Sequence, residues 1–212
     1  MIADFCVFLD AGHGGLDLEG KYVSAPGKQF KHSRGTFHGD GWFYEGVFNR
    51  TIVSLVASKL RNLGFQVLIL SHDYLDTPLS TRTDKANWYY ENFSRGILLS
   101  SHGNASPSHR GRGFEVYTSR GETKADRIAE LHWKNVETLL GDRIVMRMDQ
   151  KDNDLDKEAN FWILRRTKMP AILIEHLFFD NYEDALLLMD DEIVELFAEA
   201  QVRTVIEYFN SL

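Results

Sequence analysis

Short, continuous apolar runs alternate along this chain with longer segments in which apolar residues recur every three or four positions. Residues 5–9 (Phe5-Cys6-Val7-Phe8-Leu9) form an apolar run that stops abruptly at Asp10-Ala11-Gly12-His13-Gly14-Gly15. That pattern predicts a buried strand emptying into a tight turn, with the glycines free to take positive φ and to approach a ligand closely. Similar runs predict buried strands at residues 65–70, 97–101, 113–117 and 171–174, the last fully apolar and ending on Glu175. Shorter strands are expected at 144–148 and 161–164.

Helical spacing connects these runs. Phe48, Ile52, Leu55, Val56, Leu60 and Leu63 predict a helix over residues 46–63, with Gly64 as its stop. Thr77-Pro78 predicts a second helix start, with threonine as cap and proline in the first turn. Further helices are expected at about 124–140 and 191–209. Strands alternating with helices define an α/β protein: one domain over residues 1–212, built on a largely parallel twisted sheet flanked by helices.

Two stretches escape both periods. Residues 16–44 carry five glycines together with Tyr22, Phe30, Phe37, Trp42 and Phe43. The aromatics argue for order, and the stretch is expected as a rim or lid beside a substrate. Residues 149–158 are polar. Asp152, Asp154 and Asp156 resemble the opening of a calcium loop, but its glycine and closing glutamate are missing, so a solvated loop is expected.

Composition narrows the partners. A net charge of −7 over 212 residues argues against nucleic acid, which needs a basic face. Cys6, the single cysteine, excludes an intrachain disulfide and is expected as a small buried hydrophobe. No stretch is long and apolar enough for membrane insertion, and no signal peptide is expected at the N-terminus.

The chemistry collects at strand ends. His13, His102 and Glu175 each lie just past an apolar run, so parallel strands bring them to one carboxyl edge, where open α/β sheets bind ligands. Glu45 opens the first long helix at that same edge. Two imidazoles and a carboxylate match a catalytic zinc site with an open position, and a further carboxylate matches a general base. The blander alternative stays open for each residue taken singly: a histidine at a strand end is more often a hydrogen-bonded surface group, and Glu45 could simply favour its helix dipole. His132 is expected on a helix surface, and His38 on the surface or facing substrate. No HExxH pair, GxSxG elbow, P-loop or paired CxxC is present.

Over nearly its full length the sequence resembles the catalytic domain of zinc-dependent N-acetylmuramoyl-L-alanine amidases, including those of phage endolysins. Asp10 to Gly15 resembles the family's first histidine motif, and Glu45 with Asn49 its glutamate ligand and following helix. Leu79, Arg82, Ala86 and Asn87 resemble its second helix. Ser101-His102-Gly103-Asn104-Ala105 resembles the second histidine motif, and Gly113 to Tyr117 the strand after it. Arg165 with Met169 to Glu175 resembles the segment carrying the catalytic glutamate. The resemblance implies zinc on His13, Glu45 and His102, Glu175 as general base and acid, and Asn104 and Arg165 as substrate-binding residues. It implies peptidoglycan as substrate, with hydrolysis of the amide between N-acetylmuramic acid and L-alanine. Another zinc amidohydrolase or peptidase, or a non-catalytic wall-binding module, are the alternatives. No separate wall-binding domain is expected within the chain, and synthesis in the cytoplasm with action on the cell wall after release or export is the expected life cycle. One departure stands out: the glycine usual soon after the catalytic glutamate is replaced by the run from His176 to Asn181.

Overall fold

The computed structural model describes residues 2–149 and 154–212. A six-stranded sheet in the order β4-β1-β5-β8-β6-β7 forms the centre. Its strands are β1 (Phe5–Ala11), β4 (Gln66–Ile69), β5 (Arg95–Asn104), β6 (Glu115–Thr118), β7 (Lys157–Glu158) and β8 (Ala171–Phe178). Strands β4, β1, β5 and β8 run parallel, whereas β6 is antiparallel to β8. The expected α/β architecture is therefore present, with one reversal that the runs of apolar residues did not reveal.

Alternation along the central strands explains why they read as continuous apolar runs. In β1, Val7 and Leu9 enter the larger core beneath α1 (Glu45–Asn62), α3 (Lys124–Leu140) and α6 (Asp191–Asn210). Cys6 and Phe8 enter the smaller core beneath α2 (Leu79–Asn92) and α4 (Trp162–Arg166). A strand covered on both faces has no polar side to display. Cys6 is buried as expected, and its thiol is pushed up to about 12 by that burial.

Several local expectations are corrected. Residues 161–164 begin helix α4 rather than a strand; Ile163 and Leu164 are buried by one helical turn, and a short apolar run does not distinguish the two. Residues 144–148 contribute one isolated bridge, Phe114 to Met146. Strand β4 is an edge strand and only half-buried. Thr77 does not cap α2: its hydroxyl accepts from the His72 amide, and Pro78 takes the cap position. A short helix, α5 (Tyr182–Leu188), is added, capped by the Asn181 side chain.

His132 is fully buried between α3 and α6, with Nδ1 3.2 Å from Thr204 Oγ1. The helix face that holds it looks like surface in sequence because its cover, α6, lies far along the chain. Asp156 is also buried and accepts from Thr118 Oγ1 at 2.6 Å, while Lys157–Glu158 extends the sheet as β7. That end of the polar stretch is thus not solvated loop; Asp152 lies outside the described residues.

The 16–44 segment contains an antiparallel pair, β2 (Gln29–Lys31) with β3 (Trp42–Tyr44). Phe37 and Phe43 are buried, and Phe43 stacks on Phe179 at 5.8 Å. His32 Nε2 lies 3.0 Å from the Phe179 carbonyl. The segment is anchored by its own core residues to the end of β8.

Candidate active site

The glycine turn after β1 works differently from the simplest expectation. Gly12, Gly14 and Gly15 do not take positive φ; His13 itself does, at 63°. The glycines instead remove atoms. A Cβ on Gly12 would lie 2.1 Å from the His102 ring, and one on Gly46 would lie 1.6 Å from the Gly14 carbonyl. These close approaches seat the turn against β5 on one side and the start of α1 on the other.

Side chains then hold the turn's carbonyls one after another. Arg82 Nη1 donates to Ala11 O at 2.6 Å, Asn49 Nδ2 to Gly12 O at 3.1 Å, and His13 O accepts from Arg50 Nη2 at 2.8 Å and Arg82 Nη2 at 3.1 Å. Arg82 is only 1% exposed and also pairs with Asp10 at 2.8 Å, whose other oxygen accepts from Ser100 Oγ. A left-handed histidine is strained backbone, and this network over-determines it.

His13, Glu45 and His102 meet as the sequence predicts. Their candidate ligand atoms lie within 4.8 Å of one another. Glu45 Oε1 is 3.3 Å from His13 Nε2 and 3.1 Å from His102 Nδ1. The Glu45 residue is 1% exposed, and its second oxygen has no hydrogen-bond partner, with Lys28 Nζ 3.8 Å away. Burial alone would raise the Glu45 carboxyl, but hydrogen bonds from His102 and His13 outweigh it and hold it far below the usual range. Desolvation lowers His13, whereas His102, also desolvated, is raised by its bond to Glu45.

Glu175 lies beside this cluster. Parallel pairing of β5 and β8 puts Glu175 directly opposite His102, and antiparallel pairing with β6 puts Glu115 opposite Glu175. Residues opposite each other in a ladder share a face, so His102, Glu175 and Glu115 form one row. Glu175 Oε2 is buried without a partner, and desolvation, only partly countered by His102, pushes its carboxyl up to about 8. A cavity of about 470 Å³ opens on this face. His13, His102, Glu175 and Lys28 form its polar end, and Pro78, Leu79, Phe161, Trp162 and Leu173 its apolar walls.

The two weaker candidates part company. Asn104 stays at the row and donates to Glu115 Oε2 at 3.1 Å. Arg165 does not: folding of 162–166 as a helix turns it to the amino end of the sheet, where it lines a separate cavity with Phe5, Gly96 and Ala171. His38 also has a local role, its ring lying between the Trp42 carbonyl and the Tyr44 amide. The residues that sequence reasoning missed are Arg50, which holds the His13 carbonyl, and Glu115 with Arg147 and Lys157. Glu115 was visible only as the polar position of an alternating strand, because the strand's reversed direction was not.

Fold and site together define an α/β protein with a two-histidine, one-carboxylate cluster able to hold a metal at the carboxyl edge of its central sheet. The chain belongs to the N-acetylmuramoyl-L-alanine amidase family, whose sequence profile matches residues 7–207. It is 29% identical over 220 residues to an endolysin of Bacillus phage SPP1, covering 96% of this chain and 66% of that protein. The chain thus spans about two thirds of the length of this relative. Among solved structures, the amidase AmiC2 of Nostoc punctiforme superposes with a TM-score of 0.75 at 23% identity, covering 98% of both chains. An N-acetylmuramoyl-L-alanine amidase of Clostridium difficile 630 gives 0.74 at 24%, covering 100% of this chain and 99% of that one. These superpositions establish the shared fold. Among the described residues no helix is long and apolar enough to cross a membrane.

Proposed function

We propose that this chain hydrolyses the amide joining the lactyl group of N-acetylmuramic acid to L-alanine of the peptidoglycan stem peptide, with zinc held by His13, Glu45 and His102. The donor set suits the ion: three ligand atoms within 4.8 Å and a buried Glu45 oxygen with no hydrogen-bond partner. Zinc in such a site supplies Lewis acidity to a carbonyl and acidity to water. Glu175 takes the proton of the attacking water and returns one to the departing alanine amine. Burial raises its carboxyl to about 8 in the metal-free fold, and a zinc ion bound beside it would lower it again toward the carboxylate form that a base requires. Phe161 and Trp162 wall the groove on one side, and Lys28 of the 16–44 segment reaches its polar end. Asn104, whose amide donates to Glu115, binds the substrate peptide beside this row. Action on the bacterial cell wall follows from this substrate.

The observation that carries the reading is the position of Glu175, opposite His102 in the ladder, with one carboxylate oxygen buried and unpartnered. Purified protein should release new L-alanine amines from peptidoglycan without new reducing sugar ends. Sugar ends would mean a glycosidase, and binding without either product a wall-binding module. Glu175→Gln should keep its zinc and lose roughly two to four orders of magnitude in rate. Near-normal turnover with zinc bound would refute the assignment.

A further inference from the structure

The row that begins at His102 and passes through Glu175 ends in a charged cluster. Glu115 is buried at 3% exposure and saturated with donors. Its Oε1 accepts from Arg147 Nε and from Lys157 Nζ, the latter at 2.7 Å. Its Oε2 accepts from Tyr117 OH at 2.5 Å and from Asn104 Nδ2 at 3.1 Å. Among the described residues Arg147 and Lys157 thus gather on one buried carboxylate, and these three side chains together carry net positive charge in a chain of net charge −7. The cations lie outward of the acid they pair with: the Arg147 and Lys157 side chains are 39% and 22% exposed. Arg147 is further fixed by donating to the Arg112 carbonyl at 3.3 Å and by lying 5.5 Å from the Phe178 ring centre. Cationic donors that are held in place by a buried acid and stay partly exposed can also take a carboxylate from outside.

We propose that Arg147 and Lys157 form a specificity subsite for a carboxylate of the stem peptide: the free α-carboxylate of the residue after L-alanine. The proposal rests on the amidase reading. In that reading Glu175 faces the scissile nitrogen, the lactyl carbonyl lies toward the His13–Glu45–His102 end of the row, and the departing peptide leaves in the opposite direction, over β6. Neighbouring strands are about 4.8 Å apart, so the cluster begins one strand beyond Glu175. One residue step along the peptide, about 3.8 Å between α-carbons, places the next residue's α-carboxyl roughly 5–7 Å from the scissile nitrogen. The two spacings agree. The second stem residue is a glutamate linked through its side-chain carboxyl, so its α-carboxyl occurs either free or as the amide. The subsite selects the free acid, because an amide brings no charge and presents its own donors to a guanidinium and an ammonium.

The test compares two peptidoglycans differing only in whether that α-carboxyl is free or amidated, read as initial rates of new L-alanine amine release at low substrate. Wild-type protein is expected to favour the free acid by about 10- to 100-fold, the range for hydrogen bonds to charged groups. Arg147→Gln and Lys157→Gln should each bring the ratio toward one. The ratio is decisive, because a merely structural role for either residue would slow both substrates alike. Arg147 also holds the Arg112 carbonyl, so if Arg147→Gln melts early, Lys157→Gln decides the matter. A wild-type ratio near one, or a ratio unchanged in a folded variant that should lose it, overturns the subsite and leaves the amidase reading standing. Release from neither peptidoglycan overturns both.

Discussion

Replacing Arg82 with methionine tests the network that shapes the glycine turn. Arg82 and Asp10 are each about 1% exposed and meet at 2.8 Å. Without the guanidinium, the Asp10 carboxylate keeps only the Ser100 hydroxyl, and the carbonyls of Ala11 and Thr77 lose the donors they have from Arg82. His13 O retains Arg50. Breaking a buried pair by removing one partner costs about 3–5 kcal/mol, a large share of a typical total of about 5–15 kcal/mol. Urea unfolding of chelator-treated protein reads this term free of any stabilisation by bound metal. Adding Asp10→Asn removes the orphaned charge, so the double variant should be more stable than Arg82→Met alone, with a coupling of about 1–3 kcal/mol. Zinc affinity, measured by competition with a coloured chelator, should fall about 10- to 100-fold, because the carbonyl that fixes the His13 backbone loses one of its two holders. An apo-protein within about 1 kcal/mol of wild type, or a double variant less stable than the single, would refute the reasoning.

Three other outcomes are expected. Wild-type protein should bind about one zinc per chain and Glu45→Ala much less; full occupancy in that variant would move the third ligand elsewhere, with Glu175 the first suspect. Burial lowers His132 to about 3 in the fold, while the unfolded chain protonates it near 6.5. Its contribution is therefore intact above pH 6.5 and lost as pH falls, by about 2 kcal/mol at pH 5, since the unfolded state then binds the extra proton. His132→Gln should flatten that part of the urea midpoint's pH dependence, and an identical slope in both proteins would count against it. Phe43→Ala removes a ring stacked on Phe179 and should cost about 3–5 kcal/mol with turnover lost alongside, whereas full stability would mean that the 16–44 segment is not anchored there.

Much of the site was legible because its residues end apolar runs, although His102 and Glu175 lie within β5 and β8 rather than at their ends. An apolar run ending in one ionisable residue carries its own meaning when strands are parallel, and His13, His102 and Glu175 all follow that rule. Glu45 followed from its place at the start of α1. Arg165 misled because residues 161–164 are too short an apolar run to separate a strand from a helical turn, and the helix carried the arginine to the other end of the sheet. His132 misled because burial by a distant helix leaves no trace in the helix being buried.

The sequence by itself determined the alternation of strands and helices, the doubly covered centre of the sheet, and the meeting of His13, Glu45 and His102 at its carboxyl edge. Each of these is encoded locally, in periodicity and in the residue that ends each run. Only the tertiary structure decided which strand lay beside which. The reversed direction of β6 brings Glu115 opposite Glu175 and gathers Arg147 and Lys157 from 32 and 42 positions further along the chain. It likewise decided that the glycines of the turn admit the His102 ring and the start of α1 while His13 takes the left-handed backbone. Strand direction and close approach are properties of pairs of segments distant in sequence, and no single segment contains them.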